Sequence, residues 1–299
     1  MPIVQCRHAI VRARARGGGP PAAVTSTAAT VVDASGVALS LSAPPRRIVS
    51  LIPSVTEILF ALGRGEAVVG CTIYCTEPAE GVATKTRIGG EKNPRLEQIR
   101  ALHPDLVIAN IEENLREHVE TLRAWGIPVF VIYPRTVRAG VALVRALGAI
   151  TGAVGRASEI ATPLERRLAE MGSGRSGRSR VFCPIWRHPY MTINADTYVH
   201  DMLAVCGGGN VFAERPTRYP TVSLAEVAEA RPGVILLPDE PYRFRRPHIA
   251  DFAPLDDVPA VRNGRIHLID GKLLSWYGPR IGQALHVLPA LLTESAPHP

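Results

Sequence analysis

The chain has 299 residues, of which 46% are hydrophobic and 20% charged, enough for two α/β units with their own cores. The formal net charge is +7, but Arg7, Arg12, Arg14 and Arg16 crowd the N-terminus, where no acidic residue precedes Asp33; without those four the balance is +3. So small a surplus excludes a basic nucleic-acid stripe, and the lack of a long uninterrupted apolar run excludes a helical membrane span.

Residues 1–30 are rich in Arg, Gly and Pro and make no continuous apolar segment. They are expected to form a disordered basic tail without a signal peptide. Residues 30–42 alternate apolar and polar side chains around Ser35-Gly36, which predicts a β-hairpin. A short buried strand at 48–51 stops at Pro53, and a helix follows over 56–62. Ser54 and Glu57 have capping-box spacing for that helix, and Gly63 ends it. Further strands are predicted at 67–71, 106–109 and 128–132, with helices at 96–102, 113–125 and 137–147. Residues 155–171 read as a helix with no strand close by, and 172–179 as a flexible polar linker.

The second half repeats the plan of the first. A strand at 181–185 precedes a helix at 197–206, a Gly207-Gly208-Gly209 cap and turn, and a short Val211-Phe212 segment. Then "SLAEVAEARPGVILLP" matches "RLEQIRALHPDLVIA" of the first half: Leu224 with Leu96, Val227 with Ile99, Pro232 with Pro104. In both, a short amphipathic helix feeds through a proline turn into a buried strand. Strands that alternate with helices make parallel sheets. The expected fold class is therefore α/β: two parallel-sheet lobes joined by one long helix, with a ligand cleft between them. The expected divisions are 1–30 (tail), 31–153 (first lobe), 154–172 (connecting helix) and 173–299 (second lobe). The five cysteines, Cys6, Cys71, Cys75, Cys183 and Cys206, are an odd, scattered set and read as free thiols.

The ordered segments "PRRIVSLIPSVTEILFALG", "VVGCT", "RLEQIRALHPDLVIA", "WGIPVFVI", "CGGGNVF" and "SLAEVAEARPGVILLP" resemble the solute-binding proteins of ABC importers with a rigid helical backbone. The resemblance spans residues 31–292 and is greatest to the cobalamin binders within a class that also carries iron-siderophores and haem. It implies a class III periplasmic-binding-protein-like fold, no catalysis, no catalytic cofactor and a monomer with cobalamin as bound ligand. The implied partners are ABC permease subunits, and the implied location is periplasmic; with no signal peptide in the chain, cytoplasmic is the alternative.

A corrinoid is a large, flat, partly apolar ring with amide arms, so its site needs aromatic faces and a few hydrogen-bonding groups. The chain has only 3 Trp, 7 Tyr and 6 Phe, which makes their placement informative. Tyr74, Trp186, Tyr190, Tyr219, Trp276 and Tyr277 all follow strands, where α/β clefts form. By resemblance, Tyr74 is ligand-facing and Tyr219 stands where the cobalamin binders place a Trp. In the Gly89-Gly90-Glu91-Lys92 loop those proteins often carry another Trp, which is absent here. Glu91, Arg187, His188 and Arg280 are candidate polar contacts. The resemblance also implies one acidic docking residue per lobe for the permease. The first is Glu97; the matching second position is Ala225, with Glu226 beside it.

Competing readings have weaker support. A metal receptor needs histidines and carboxylates at ligand spacing, and His103, His118, His188, His200, His248 and His267 show none. Asp196, His200 and Asp201 cluster without a nucleophile, and no nucleophile elbow, Walker A motif or dinucleotide fingerprint is present.

Overall fold

The computed structural model describes residues 29–171 and 179–293. Residues 1–28 of the expected tail and most of the expected linker lie outside these residues, whereas Ala29 and Thr30, expected in the tail, begin the first strand. An antiparallel hairpin, β1 (Ala29–Val32) and β2 (Ala38–Leu41), opens the chain and pairs Val32 with Ala38. It turns on Asp33, whose carboxylate accepts from the Ser35 and Val37 amides at 2.9 and 3.0 Å. The same carboxylate pairs with Arg123 at 2.6 Å, which fixes the hairpin to the first lobe.

The first lobe runs β3 (Ile48–Ser50), α1 (Pro53–Ala61), β4 (Val68–Cys71), α2 (Ala79–Ala83), β5 (Thr86–Arg87), α3 (Leu96–Ala101), β6 (Leu106–Asn110), α4 (Arg116–Ala124) and β7 (Val129–Ile132). Two helices follow, α5 (Val137–Ile150) and α6 (Val154–Met171). The second lobe runs β8 (Ser179–Phe182), α7 (Tyr198–Val205), β9 (Gly208–Asn210), α8 (Leu224–Ala230), β10 (Val234–Pro238), α9 (Pro259–Arg262), β11 (Ile266–Ile269), α10 (Lys272–Ser275) and α11 (Arg280–Leu292).

The first sheet has the order β5-β4-β3-β6-β7 and the second β11-β10-β8-β9, and every pair within them is parallel. Setting β8 against β3, β9 against β4, β10 against β6 and β11 against β7 gives the same strand order in both. The duplication read from sequence is therefore a duplication of topology. All residues of β6 and of β10 are buried, as expected for strands covered by helices on both faces.

Helix α6 carries the chain from one sheet to the other. Near its start Arg156 donates to the carbonyl of Ala61 in α1 at 3.0 Å. Further along, Leu164 faces Gly282 of α11. Helix α5 lies against it and shares the join: Arg145 pairs with Glu165 at 2.7 Å. A Cβ at Gly148 would stand 2.3 Å from that of Ala157, so the two helices touch backbone to side chain. One apolar cluster runs from Ile48 and Leu106 through Val144, Leu147, Ala161 and Leu164 to Val181, Val234 and Leu285. The lobes thus share a continuous core on one side, which limits how far they can swing apart.

Three local expectations are corrected. Ser54 does not cap α1. The helix starts three residues earlier than expected, at Pro53, with Ile52 at the N-cap and no side-chain cap. Proline suits that first position because its missing N–H has no intrahelical partner there. Glu57 instead reaches across to Arg280 at 2.9 Å. Likewise, Gly208 and Gly209 are not merely a turn: only Gly207, at φ +94°, closes α7, and Gly208–Asn210 pairs as β9 beside β8. A Cβ at Gly208 would lie 3.0 Å from a Val181 methyl, so glycine permits the close pairing. Phe212, beyond that strand, packs edge-on against Phe182 in the second-lobe core. Helix α4 also starts later than expected, because the Asn114 side chain is engaged with the Asn110 amide and the Glu91 carbonyl.

Candidate ligand-binding cleft

The carboxyl ends of the two sheets bring their loops together along a seam. Asn110 ends β6, and its side chain donates to the Tyr277 hydroxyl of the second lobe at 3.4 Å. Two residues on, Glu112 accepts from Arg218 at 3.2 Å and from the Tyr219 hydroxyl. Arg218 also donates to Tyr133, while Arg135 pairs with Asp196. Elsewhere along the seam Arg280 binds Glu57 at 2.9 Å and Glu77 at 3.4 Å, and Lys272 lies 3.7 Å from Glu77. Polar bridges therefore join the lobes at two places.

The predicted aromatic residues fall into two groups. Tyr74, Trp186 and Tyr219 are 56%, 44% and 38% exposed, unusual for large rings and suited to contact with a partner molecule. Tyr74 sits at the tip of the 72–75 turn and lies close to Gly90. Trp186 packs edge-on against Tyr242 at 5.6 Å. The other three are buried. Tyr190 stacks beside Phe244 and Phe252 and donates to Asp251 at 2.5 Å. Trp276 donates to Glu240 at 2.7 Å, with Lys272 and Arg280 over its ring. Tyr277 meets Tyr198 edge-on at 4.9 Å. These three plug and brace the fold.

Several carboxyl groups of the seam are held away from water. Burial, reinforced by Glu113, Cys75 and Glu240 and only partly offset by Lys92, pushes the Glu91 carboxyl up to about 8. Burial also raises Glu112 against the pull of Arg218, and Glu57 against that of Arg280. Glu240 is raised by burial despite its bonds from Ser275 and Trp276. The seam is thus unfavourable for added negative charge. Glu57, Glu112, Arg218, Glu240 and Lys272 were missed in the sequence. Their common signal is a charged side chain just beyond a strand or within a seam-facing helix, which needs the strand order to be read.

Arg187 and His188 belong elsewhere. Arg187 pairs with Asp251 at 2.6 Å, within the second lobe. His188, Tyr190, Ser223, Leu224, Glu226 and Asp251 line a depression of about 690 Å³, beside the seam rather than in it. Of the two docking candidates, Glu97 is exposed in the first turn of α3. Glu226 is engaged: it accepts from the Ser223 amide and hydroxyl at 2.7 and 2.9 Å, closing a capping box, and from Arg215 at 2.5 Å. Among the described residues no three His, Cys, Asp or Glu side chains converge to hold a metal ion, and no helix is long and apolar enough to cross a membrane.

Twin parallel sheets with facing strand ends, linked by packed helices, define a two-lobed binding protein of the rigid-backbone class. The periplasmic binding protein family model matches residues 48–273, and the chain belongs to that family. It is 27% identical over 263 residues to a vitamin B12-binding protein of Pectobacterium carotovorum, covering 85% of this chain and 90% of that one. A solved periplasmic haem-binding protein of Roseiflexus is 28% identical, with a TM-score of 0.72 over 82% of this chain and 97% of its own. The vitamin B12-binding protein of Vibrio cholerae superposes with a TM-score of 0.73 at 24% identity, covering 83% and 96%.

Proposed function

We propose that this chain is the substrate-binding protein of an ABC importer and holds a cobalamin-type corrinoid in the inter-lobe cleft. The observation that carries the reading is the trio of exposed rings, Tyr74, Trp186 and Tyr219, at strand ends on a duplicated scaffold. Flat, partly apolar macrocycles bury much of their surface against such rings. Glu91 and Glu240 supply acceptors for the amide N–H groups of the corrinoid arms. The relative from Pectobacterium, named for vitamin B12, supports the same ligand.

Haem is the second reading, favoured by the 28% identity to the Roseiflexus protein. The charge of the seam argues against it. Haem carries two carboxylates, and burial that already raises Glu91, Glu112 and Glu240 leaves the seam poor at solvating further negative charge. In this proposal residues 31–153 and 173–299 act as the two jaws and 154–172 as the spine. Glu97 and Glu226 are the surfaces offered to the permease, outside the cytoplasmic membrane.

Titration with cyanocobalamin, followed by tryptophan fluorescence, tests the ligand. Quenching that saturates by about 10–50 μM is expected, matching an affinity near −7 kcal/mol or better. No quenching, with haemin binding instead, overturns the corrinoid reading.

A further inference from the structure

We infer that Cys71 and Cys75 form a reversible dithiol–disulfide couple beneath the turn that presents Ile73 and Tyr74. Both are buried free thiols. Cys71 ends β4, and the Cys75 amide donates to the Thr72 carbonyl at 3.2 Å, closing the turn between them. The two side chains pack into one small buried cluster with Val82. Arg87 clamps the arrangement from one side. Its Nη1 donates to the Cys71 sulfur at 3.4 Å, the Thr72 carbonyl at 2.9 Å and the Cys75 carbonyl at 2.7 Å. The hydroxyls of Thr56 and Thr72 lie 3.1 and 3.2 Å from the Cys75 sulfur.

This environment separates the roles of the two sulfurs. Hydrogen bonds from Cys71, Thr56 and Thr72 pull the Cys75 thiol down, outweighing burial. The same shared bond and burial push Cys71 up, despite Arg87. A sulfur stabilised as thiolate beside one that keeps its proton is the arrangement of an attacking and a resolving cysteine. The other described cysteines differ. Burial alone pushes Cys183 up to about 12, and Cys206 contacts Met202 and the Ala284 carbonyl.

The oxidant is a disulfide: oxidised glutathione or a thiol–disulfide oxidoreductase. The Cys75 thiolate attacks one sulfur of the oxidant, its S–S bond breaks, and one thiolate leaves. Cys71 then gives up its proton and attacks the Cys75 sulfur, expelling the second thiol. Two protein thiols become one disulfide, and the oxidant's disulfide becomes two thiols. Both cysteines are fully buried, so the exchange requires the turn, exposed at Ile73 and Tyr74, to open and admit the oxidant. The new bond takes the Cys75 sulfur away from Thr56 of α1 and staples the turn under Tyr74. Its effect on ligand affinity, though not the couple itself, rests on the proposed function.

The full-length protein is equilibrated in glutathione buffers of graded ratio, acid-quenched, denatured, alkylated with iodoacetamide and digested with trypsin. The peptide 65–85 carries both cysteines. In oxidising buffer it should appear unalkylated and two hydrogens lighter, and after reduction it should take up two labels. Cys183 and Cys206 should stay alkylated throughout. Cys71→Ser should trap a glutathione adduct on Cys75, whereas Cys75→Ser should leave Cys71 unmodified. A doubly alkylated 65–85 peptide at every ratio overturns the couple, as does a bridge from either cysteine to Cys6. The oxidised and reduced forms are then each titrated with cyanocobalamin, and an affinity difference of about threefold or more is expected. Equal affinities overturn the effect on the cleft. Absent binding in both forms overturns the ligand and leaves the couple, which mass alone reads.

Discussion

Glu112, just past the end of β6, accepts hydrogen bonds from Arg218 and Tyr219 of the opposite lobe. A carboxylate from one sheet is thus held by two side chains of the other, and Arg218 is held in turn by Tyr133 of the first lobe. Both ion-pair partners are largely buried, so removing one leaves the other poorly compensated. Arg218→Met should cost about 2–4 kcal/mol. Glu112→Gln with Arg218→Met should cost less than the two single changes together. Urea unfolding of all four proteins gives the coupling energy, expected near 1–3 kcal/mol. A value below about 0.5 kcal/mol would remove this pair as a bridge between lobes.

Glu91 makes stability depend on pH. Its carboxyl is raised from 4.5 to about 8 in the folded protein, so the folded state binds a proton more tightly than the unfolded chain does. The contribution is complete below about 4.5 and is lost as pH rises through about 8. Stability should fall over that window by an amount on the order of a few kcal/mol. Glu91→Gln should flatten the trend and leave the variant more stable than wild type near the upper end. Denaturation midpoints measured across the window check this; parallel curves for the two proteins would refute it.

The aromatic residues should separate by phenotype. Tyr74→Ala and Trp186→Ala remove exposed rings and should each weaken cyanocobalamin binding by about tenfold, with little change in stability. Tyr190→Ala and Tyr277→Ala empty buried positions and should each cost about 3–5 kcal/mol of stability. Calorimetry and thermal unfolding on the same four variants distinguish the groups. Normal affinity in both Tyr74→Ala and Trp186→Ala would place the ligand away from the seam.

Some of this was legible in the sequence and some was not. The matched proline turns at Pro104 and Pro232 announced the duplication, because each joins a short helix to a buried strand by local rules alone. Helix α1 was placed, but its cap was misread: Ser54 and Glu57 have capping spacing, and only the fold shows that Glu57 serves Arg280, 223 residues away. The same limit explains the aromatics. A ring after a strand reads alike whether it is exposed, like Trp186, or sunk into a core, like Tyr190. Which it becomes depends on Asp251 and Phe252, far along the chain.

The offset between Glu97 and Glu226 has a structural reading. Glu97 is the second residue of α3 and Ala225 the second of α8; Glu226 is the third, where its carboxylate completes the capping box with Ser223. Glu97→Ala should leave cyanocobalamin affinity unchanged and reduce labelled cobalamin uptake several-fold when it replaces the wild-type gene in the native host. Glu226→Ala should likewise reduce uptake and, unlike Glu97→Ala, also shift the unfolding midpoint, because α8 loses its cap. Undiminished uptake with Glu97→Ala would remove that residue from docking.

Gly278 tests whether the lobes press on each other at the base of the cleft. It sits at φ +76°, where a side chain is strained, and a Cβ there would lie 2.3 Å from Ile58 of α1. Gly278→Ala therefore combines local backbone strain with a clash across the seam. The strain alone should cost about 1–3 kcal/mol. The clash adds to that only while Ile58 is intact, so Ile58→Ala should absorb the second effect and leave the first. The loss in the double variant should then be smaller than the sum of the two single losses, by about 0.5 kcal/mol or more. Thermal unfolding of the three variants provides the comparison. Strict additivity would mean that the 276–278 loop yields without disturbing α1, and that the apolar contact at this end of the seam is not tight.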